Sequence, residues 1–81
     1  MNLKTKDHFY RDDYSVAIGD IRQMIDADTG ADLWQVEVII YVDDMVYKYH
    51  AFRTKDTPSR RHLTNYMNVI VPEIFSRDMA N

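Results

Sequence analysis

Three histidines are the side chains best suited to acid–base chemistry at neutral pH, and their spacing gives them no common task. His8, His50 and His62 do not have the spacing of metal ligands, and the chain contains no cysteine. Glu37 is predicted to lie opposite His50 in a hairpin, but no nucleophile accompanies this pair, so we expect an exposed cross-strand ion pair. The sequence therefore predicts no catalytic residues, no metal site and no cofactor.

The segment 48–62 mixes basic with aromatic side chains, a combination that can hold phosphates and stack on bases. It carries five Lys or Arg against one acid, a balance of +4, whereas residues 1–47 carry four against ten, a balance of −6. Dedicated nucleic-acid binders usually have strongly basic domains, but the net charge here is −3. Nucleic-acid binding is therefore the alternative hypothesis. Its candidate residues are Lys48, Arg53, Lys55, Arg60 and Arg61.

Acidic residues are concentrated before position 48. Asp26, Asp28 and Asp32 surround Gly30 and superficially resemble a calcium loop, but the terminal Glu and the flanking helices of such a loop are lacking, so we expect a turn. Clustered carboxylates also suit a surface that meets a basic protein patch, as in small inhibitors that occupy the phosphate site of a nucleic-acid enzyme.

Residues 33–42 and 45–53 predict a β-hairpin. Both runs are rich in β-branched and aromatic residues, and Asp43 and Asp44 between them suit a two-residue turn. A two-residue turn fixes the register, and this one predicts that Ile40 faces Tyr47. In that register one face of the hairpin carries Trp34, Val36, Val38, Ile40, Tyr47 and Tyr49, and the other carries Leu33, Ile39, Tyr41, Val46 and Phe52.

Residues 15–26 are ambiguous between helix and strand. Isoleucines recur at near-helical spacing, but Gly19 interrupts them, and the turn-forming residues 26–32 follow, where Gly30 can take positive φ. We favour a strand with a bulge at Gly19 and Asp20, where the alternation slips by one residue.

The sequence predicts a C-terminal helix over residues 58–79. Thr57 is a suitable N-cap, and Pro58 suits the first helical position. Pro72 lies away from the apolar stripe and predicts a kink, with a break into two helices as the alternative. The stripe comprises Leu63, Tyr66, Met67, Ile70, Val71, Ile74 and Phe75.

The expected fold is therefore α+β: one domain over residues 1–81, with a three-stranded antiparallel sheet (15–54) in β-β-β-α order after an N-terminal segment (1–14). A single helix covers one face of such a sheet. The other face remains apolar, unless Phe9 and Tyr10 of the N-terminal segment fold over it. The predicted partner-binding residues on that face are Leu33, Ile39, Tyr41, Val46 and Phe52.

From these features we expect a small, acidic, non-catalytic protein that binds a protein partner and self-associates as a homodimer. Regulatory and inhibitor proteins of bacteria and phages often have this size and composition. The first fifteen residues do not resemble a signal peptide, and no apolar run is long enough to cross a bilayer, so we expect a cytoplasmic location without membrane contact.

Overall fold

A computed structural model describes residues 2–80; Met1 and Asn81 lie outside the described residues. The chain forms an antiparallel sheet with a C-terminal helix on one face, which confirms the α+β class. The sheet has four strands, not the three predicted. They are β1 (His8–Tyr10), β2 (Ser15–Ile25), β3 (Asp32–Val42) and β4 (Met45–Thr54), adjacent in chain order.

The additional strand, β1, comes from the N-terminal segment. It pairs antiparallel with the start of β2, and Phe9 lies opposite Val16. Because side chains alternate along a strand, Phe9 packs against the core while Tyr10 points to the other face. The segment therefore extends the sheet instead of folding over it. Before β1, Leu3 is buried in the core, and its N–H donates to the Pro58 carbonyl over 3.0 Å.

Strand β2 confirms the strand prediction, the bulge and the following turn. Ile18 pairs with Val38 and Ile21 with Val36, so two residues of β2 stand opposite one residue of β3 at this point. In the turn after β2, Gly30 has φ +73°. The N–H groups of Gly30 and Asp28 donate to the carbonyl and the carboxylate of Asp26 over 2.8 and 2.9 Å.

The β3–β4 hairpin begins as predicted and then changes register. Asp43 and Asp44 form the turn with φ of 53° and 62°, and Tyr41 pairs with Val46. The predicted pairing of Ile40 with Tyr47 is wrong, because Tyr47 is an extra residue and Ile40 pairs with Lys48.

This second bulge exchanges the two faces for the rest of β4. His50 and Phe52 point towards the helix, whereas Tyr49 and Ala51 point away from it. The placement of Phe52 on the uncovered face, and of Tyr49 on the covered one, was therefore wrong. Glu37 pairs with Ala51, so the expected Glu37–His50 contact does not form either.

The helical part of the chain is α1 (Arg60–Asn65), a π-helical segment (Tyr66–Ile70) and α2 (Val71–Met79), which follow one another directly. Helix α1 begins two residues later than predicted, with Ser59 as its N-cap. The Ser59 N–H donates to Nδ1 of His62 over 3.1 Å, so His62 plays the part that Glu or Gln plays in a capping box.

Pro72 does not break the helix. In a regular α-helix its ring would clash with the carbonyl four residues back, at Asn68. The wider π-helical segment lies immediately before it, where the Val71 N–H donates to the carbonyl of Tyr66, five residues back. The helix therefore continues past the proline.

The core lies between the helix and one face of the sheet. The predicted helical stripe is confirmed: five of its members are buried, and Ile70 and Phe75 pack at its margin. The buried apolar residues are Leu3, Val16, Ile18, Val36, Val38, Ile40, Leu63, Tyr66, Met67, Val71 and Ile74.

The β3–β4 turn gives a test of this backbone geometry. Replacement of Asp43→Asn together with Asp44→Gly should raise the free energy of unfolding by about 1 kcal/mol, because Asn-Gly is the dipeptide that tolerates two consecutive positive φ angles best. Urea denaturation measures the change. The matched control, Asp43→Ala with Asp44→Ala, removes the same charges and should destabilise the protein, because alanine is strained at positive φ. Equal stabilisation by both double variants would contradict the assigned turn.

Candidate functional site

The face of the sheet opposite the helix, called the open face below, carries two adjacent cross-strand rows of mainly apolar side chains. Each row crosses all four strands, with one residue from each strand. In strand order the rows are His8, Ala17, Ile39 and Tyr49, and beside them Tyr10, Ser15, Tyr41 and Val46.

Aromatic rings dominate this part of the open face. Tyr10 is 77% exposed and Tyr49 is 71% exposed, on the two outer strands. The His8 ring stacks on Tyr10 with the centroids 4.6 Å apart and on Tyr41 at 5.5 Å. The rings thus hold one another in place, and a partner would meet a preformed aromatic surface.

Next to the aromatic rows, the middle of the open face is polar. The Arg22 guanidinium lies 3.2 Å from Glu37 and 3.3 Å from Asp20, and Nε of Arg53 donates to the Gln35 side chain over 3.2 Å. Leu33 pairs with Met24 beyond these polar rows, three rows away from Ile39. Of the predicted partner-binding residues, the structure therefore brings together Ile39, Tyr41 and Val46, and it separates Leu33 and Phe52 from them.

Two turns border the aromatic rows and enclose a depression of about 210 Å³. The β1–β2 turn supplies Asp12 and Asp13, and the β3–β4 turn supplies Asp43 and Asp44. Tyr10, Ser15 and Tyr41 of the open face line the same depression. An acidic rim thus adjoins the aromatic surface.

The five basic candidate residues do not share one surface. Lys48 is paired with Asp78 at 3.0 Å, and the Arg60 guanidinium lies 5.0 Å from the centre of the Phe9 ring. Lys55 is exposed in the loop after β4. Arg53 and Arg61 both border a groove of about 900 Å³ between β4 and the helix. These five residues therefore do not form one continuous basic surface.

Each histidine contacts a hydroxyl group. His8 Nε2 lies 3.0 Å from Ser15 Oγ, His50 Nδ1 lies 2.8 Å from the Tyr66 hydroxyl, and His62 Nδ1 lies 3.0 Å from Ser59 Oγ. Burial raises the pKa of Tyr66 further above neutral pH, so its hydroxyl is protonated there.

Among residues 2–80, no carboxylate hydrogen-bonds to any of these imidazoles, and no group of three or more His, Asp or Glu is arranged to hold a metal ion. A catalytic Ser–His pair is ordinarily completed by a group that orients the imidazole.

Asp78 of α2 fastens the end of the helix to β4. Its carboxylate accepts a hydrogen bond of 2.7 Å from the Tyr47 hydroxyl and others of 3.0 and 3.1 Å from Lys48 Nζ. The hydrogen bond from Tyr47, and then that from Lys48, hold the pKa of Asp78 below its ordinary value. Tyr47 and Lys48 both reach the helix side because the strand bulges at Tyr47.

Sequence reasoning missed His8, Tyr10 and Tyr49 as members of the surface. The first two had a detectable signal, since the β-forming residues 8–10 and 14–18 flank a turn that contains Asp12 and Asp13. Tyr49 had none, because nothing near Tyr47 marks a bulge.

No helix within residues 2–80 is long and apolar enough to span a membrane. Comparison of the chain with protein-family models, with curated proteins and with solved structures finds no match.

The Asp78 contacts predict how stability changes in acid. A carboxyl whose pKa is lowered by folding stabilises the folded state above its ordinary pKa, near 3.8, and loses that contribution as the pH falls further. Urea denaturation should therefore show a clear loss of stability in Asp78→Asn at pH 7 and a smaller loss at pH 3. An equal loss at both pH values would mean that the charge of Asp78 does not hold the helix.

Proposed function

We propose that this chain is a small non-catalytic protein-binding domain that docks on a protein partner through the aromatic rows of the open face. The observation that carries the proposal is the exposure of Tyr10 and Tyr49 beside the half-buried Ile39 and Tyr41, on a sheet face that no other element of residues 2–80 covers. The outer face of a sheet with one packed face is ordinarily polar, so an aromatic surface at this place favours an interaction role.

The side-chain types support docking on a protein. Tyrosine is enriched among residues that dominate binding energy, since it offers a large apolar ring with a polar tip and loses little conformational entropy. The pairing of the four strands also gives the surface a fixed backbone, so little ordering cost is added on binding.

Self-association is the second part of the proposal, and the free edge of β4 supports it. Strand β4 is ten residues long and, within the described part of the chain, pairs only with β3, whereas β1 at the other end of the sheet is three residues long. A long unpaired strand edge presents backbone donors and acceptors that a second copy can pair with.

Sedimentation equilibrium of the full chain up to millimolar concentration should show a dimer. A strict monomer would contradict the proposed self-association.

The docking role predicts a specific effect of charge on the open face. Tyr10→Glu and Tyr49→Glu should each weaken partner binding by 30-fold or more, equivalent to about 2 kcal/mol, because each removes an anchor ring and places a charge in the contact. The experiment captures proteins from the source cells on the immobilised chain. The interaction is then measured by calorimetry with each purified captured protein.

Val69→Glu is the matched control, because Val69 is 53% exposed on the helix, away from the sheet. A docking partner is retained by the wild type and by Val69→Glu and is lost from both tyrosine variants. All three variants must keep the circular dichroism spectrum of the wild type. If every captured protein is also retained by the tyrosine variants, the open face is not the docking surface.

A further inference from the structure

The acidic depression and the aromatic rows form one continuous surface, and its charge indicates the chemistry of the partner. On the basis of the docking role proposed above, we infer that the open face binds a basic polypeptide segment. Its arginine or lysine side chains lie over the exposed tyrosine rings and pair with the aspartates of the two adjoining turns.

The four aspartates of the depression are available to such a partner. Within residues 2–80, none of Asp12, Asp13, Asp43 and Asp44 takes part in an ion pair or a side-chain hydrogen bond. The one cation in the depression, Arg11, donates to the side chain of Asn68 over 3.1 Å. Four carboxylates against one cation leave a negative potential that attracts a basic partner.

The exposed rings add a second attraction for the same chemistry. The face of a tyrosine ring attracts a guanidinium or ammonium group, because the ring carries partial negative charge on its face. On its covered side the protein itself makes such a contact, between Arg60 and Phe9.

The width of the sheet sets the length of the partner segment. Four strands about 4.8 Å apart place the outer strands about 14 Å from each other, a span that an extended segment of four or five residues crosses.

The same charge pattern disfavours a second copy of the chain on this face. The far end of the sheet carries the acidic turn residues Asp26, Asp28 and Asp32. In the middle Arg22 pairs with both Glu37 and Asp20, and Arg53 donates to Gln35. Two open faces packed together would therefore bring the acidic turns at the ends of one sheet against those of the other in either orientation. Self-association through the edge of β4 is compatible with a basic partner on the open face.

The test uses three fluorescein-labelled peptides of twelve residues each. They repeat Arg-Gly, Lys-Gly or Glu-Gly, and each is titrated with the full chain at 20 mM salt. The Arg-Gly peptide should bind most tightly, since guanidinium both stacks on rings and pairs with carboxylates, and the Glu-Gly peptide should not bind. Affinity should fall as salt is raised to 200 mM. Amide chemical shifts of the labelled protein should change in β1, in both acidic turns and around Tyr49.

Two matched double variants separate this surface from net charge. Asp43→Asn with Asp44→Asn should weaken binding of the Arg-Gly peptide about tenfold, because it removes two carboxylates that attract the peptide and solvent and salt screen part of that attraction. Asn tolerates the positive φ of this turn. Asp56→Asn with Glu73→Gln removes as much charge from outside the depression and should change affinity less than twofold.

The possible outcomes distinguish the two proposals. If Tyr10→Ala and Tyr49→Ala weaken binding of the Arg-Gly and Glu-Gly peptides alike, and Asp43→Asn with Asp44→Asn changes neither, the open face still docks polypeptides and the choice of a basic partner is wrong. If the Arg-Gly peptide does not bind at a protein concentration of 1 mM, the inference of a basic partner is also wrong. If the peptide shifts only resonances of the groove between β4 and the helix, both proposals fail.

Discussion

The helix is held over the sheet from β4 at both of its ends, and the extra residue Tyr47 makes this possible. At one end Tyr47 and Lys48 reach Asp78, and the Tyr47 ring packs on Phe75 with the centroids 5.1 Å apart. Towards the other end Phe52 packs on Tyr66 at 5.0 Å. A strand without a bulge alternates strictly, and it could not present both Tyr47 and Lys48 to the helix.

The composition of the open face follows from the same bulge. With Lys48, His50 and Phe52 directed at the helix, Tyr49 has to point away, and it completes a row that begins with His8 on β1. The covered face packs on the helix and forms the core, while the other face keeps exposed rings that a monomer does not need for its own packing. The core and the proposed docking surface are therefore two consequences of one register.

Much of the fold was predictable because local chemistry decided it. Gly19 allowed the bulge in β2 to be placed, Gly30 marked the turn after it, and the stripe from Leu63 to Phe75 defined the buried side of the helix. In each case the residue type or its period carried the information.

The remainder depended on tertiary contacts. Tyr47 has good strand propensity and nothing beside it signals a bulge; the position is stabilised by Phe75 and Asp78, about thirty residues away. Strand β1 is three residues long, too short for a period to be read, and it exists because β2 offers it an edge. For these reasons Ile39, Tyr41 and Val46 could be identified from sequence as part of the candidate site and Tyr49 could not, while the turn at Asp12 and Asp13 was the one signal for Tyr10 and His8.

The register of β4 after Tyr47 is the central claim, and the lack of cysteine in the chain allows it to be tested directly. Single cysteines are introduced as Tyr49→Cys, His50→Cys, Ala51→Cys and Phe52→Cys, and their reaction rates with a thiol reagent are measured on the folded protein. The account predicts fast labelling at positions 49 and 51, whose side chains point away from the helix. Labelling should be at least tenfold slower at position 52 and intermediate at position 50, because the side chains at these two positions point towards the helix. Fast labelling at positions 50 and 52 with protection at 49 and 51 would contradict the bulge, and with it the surface on which the proposed function depends.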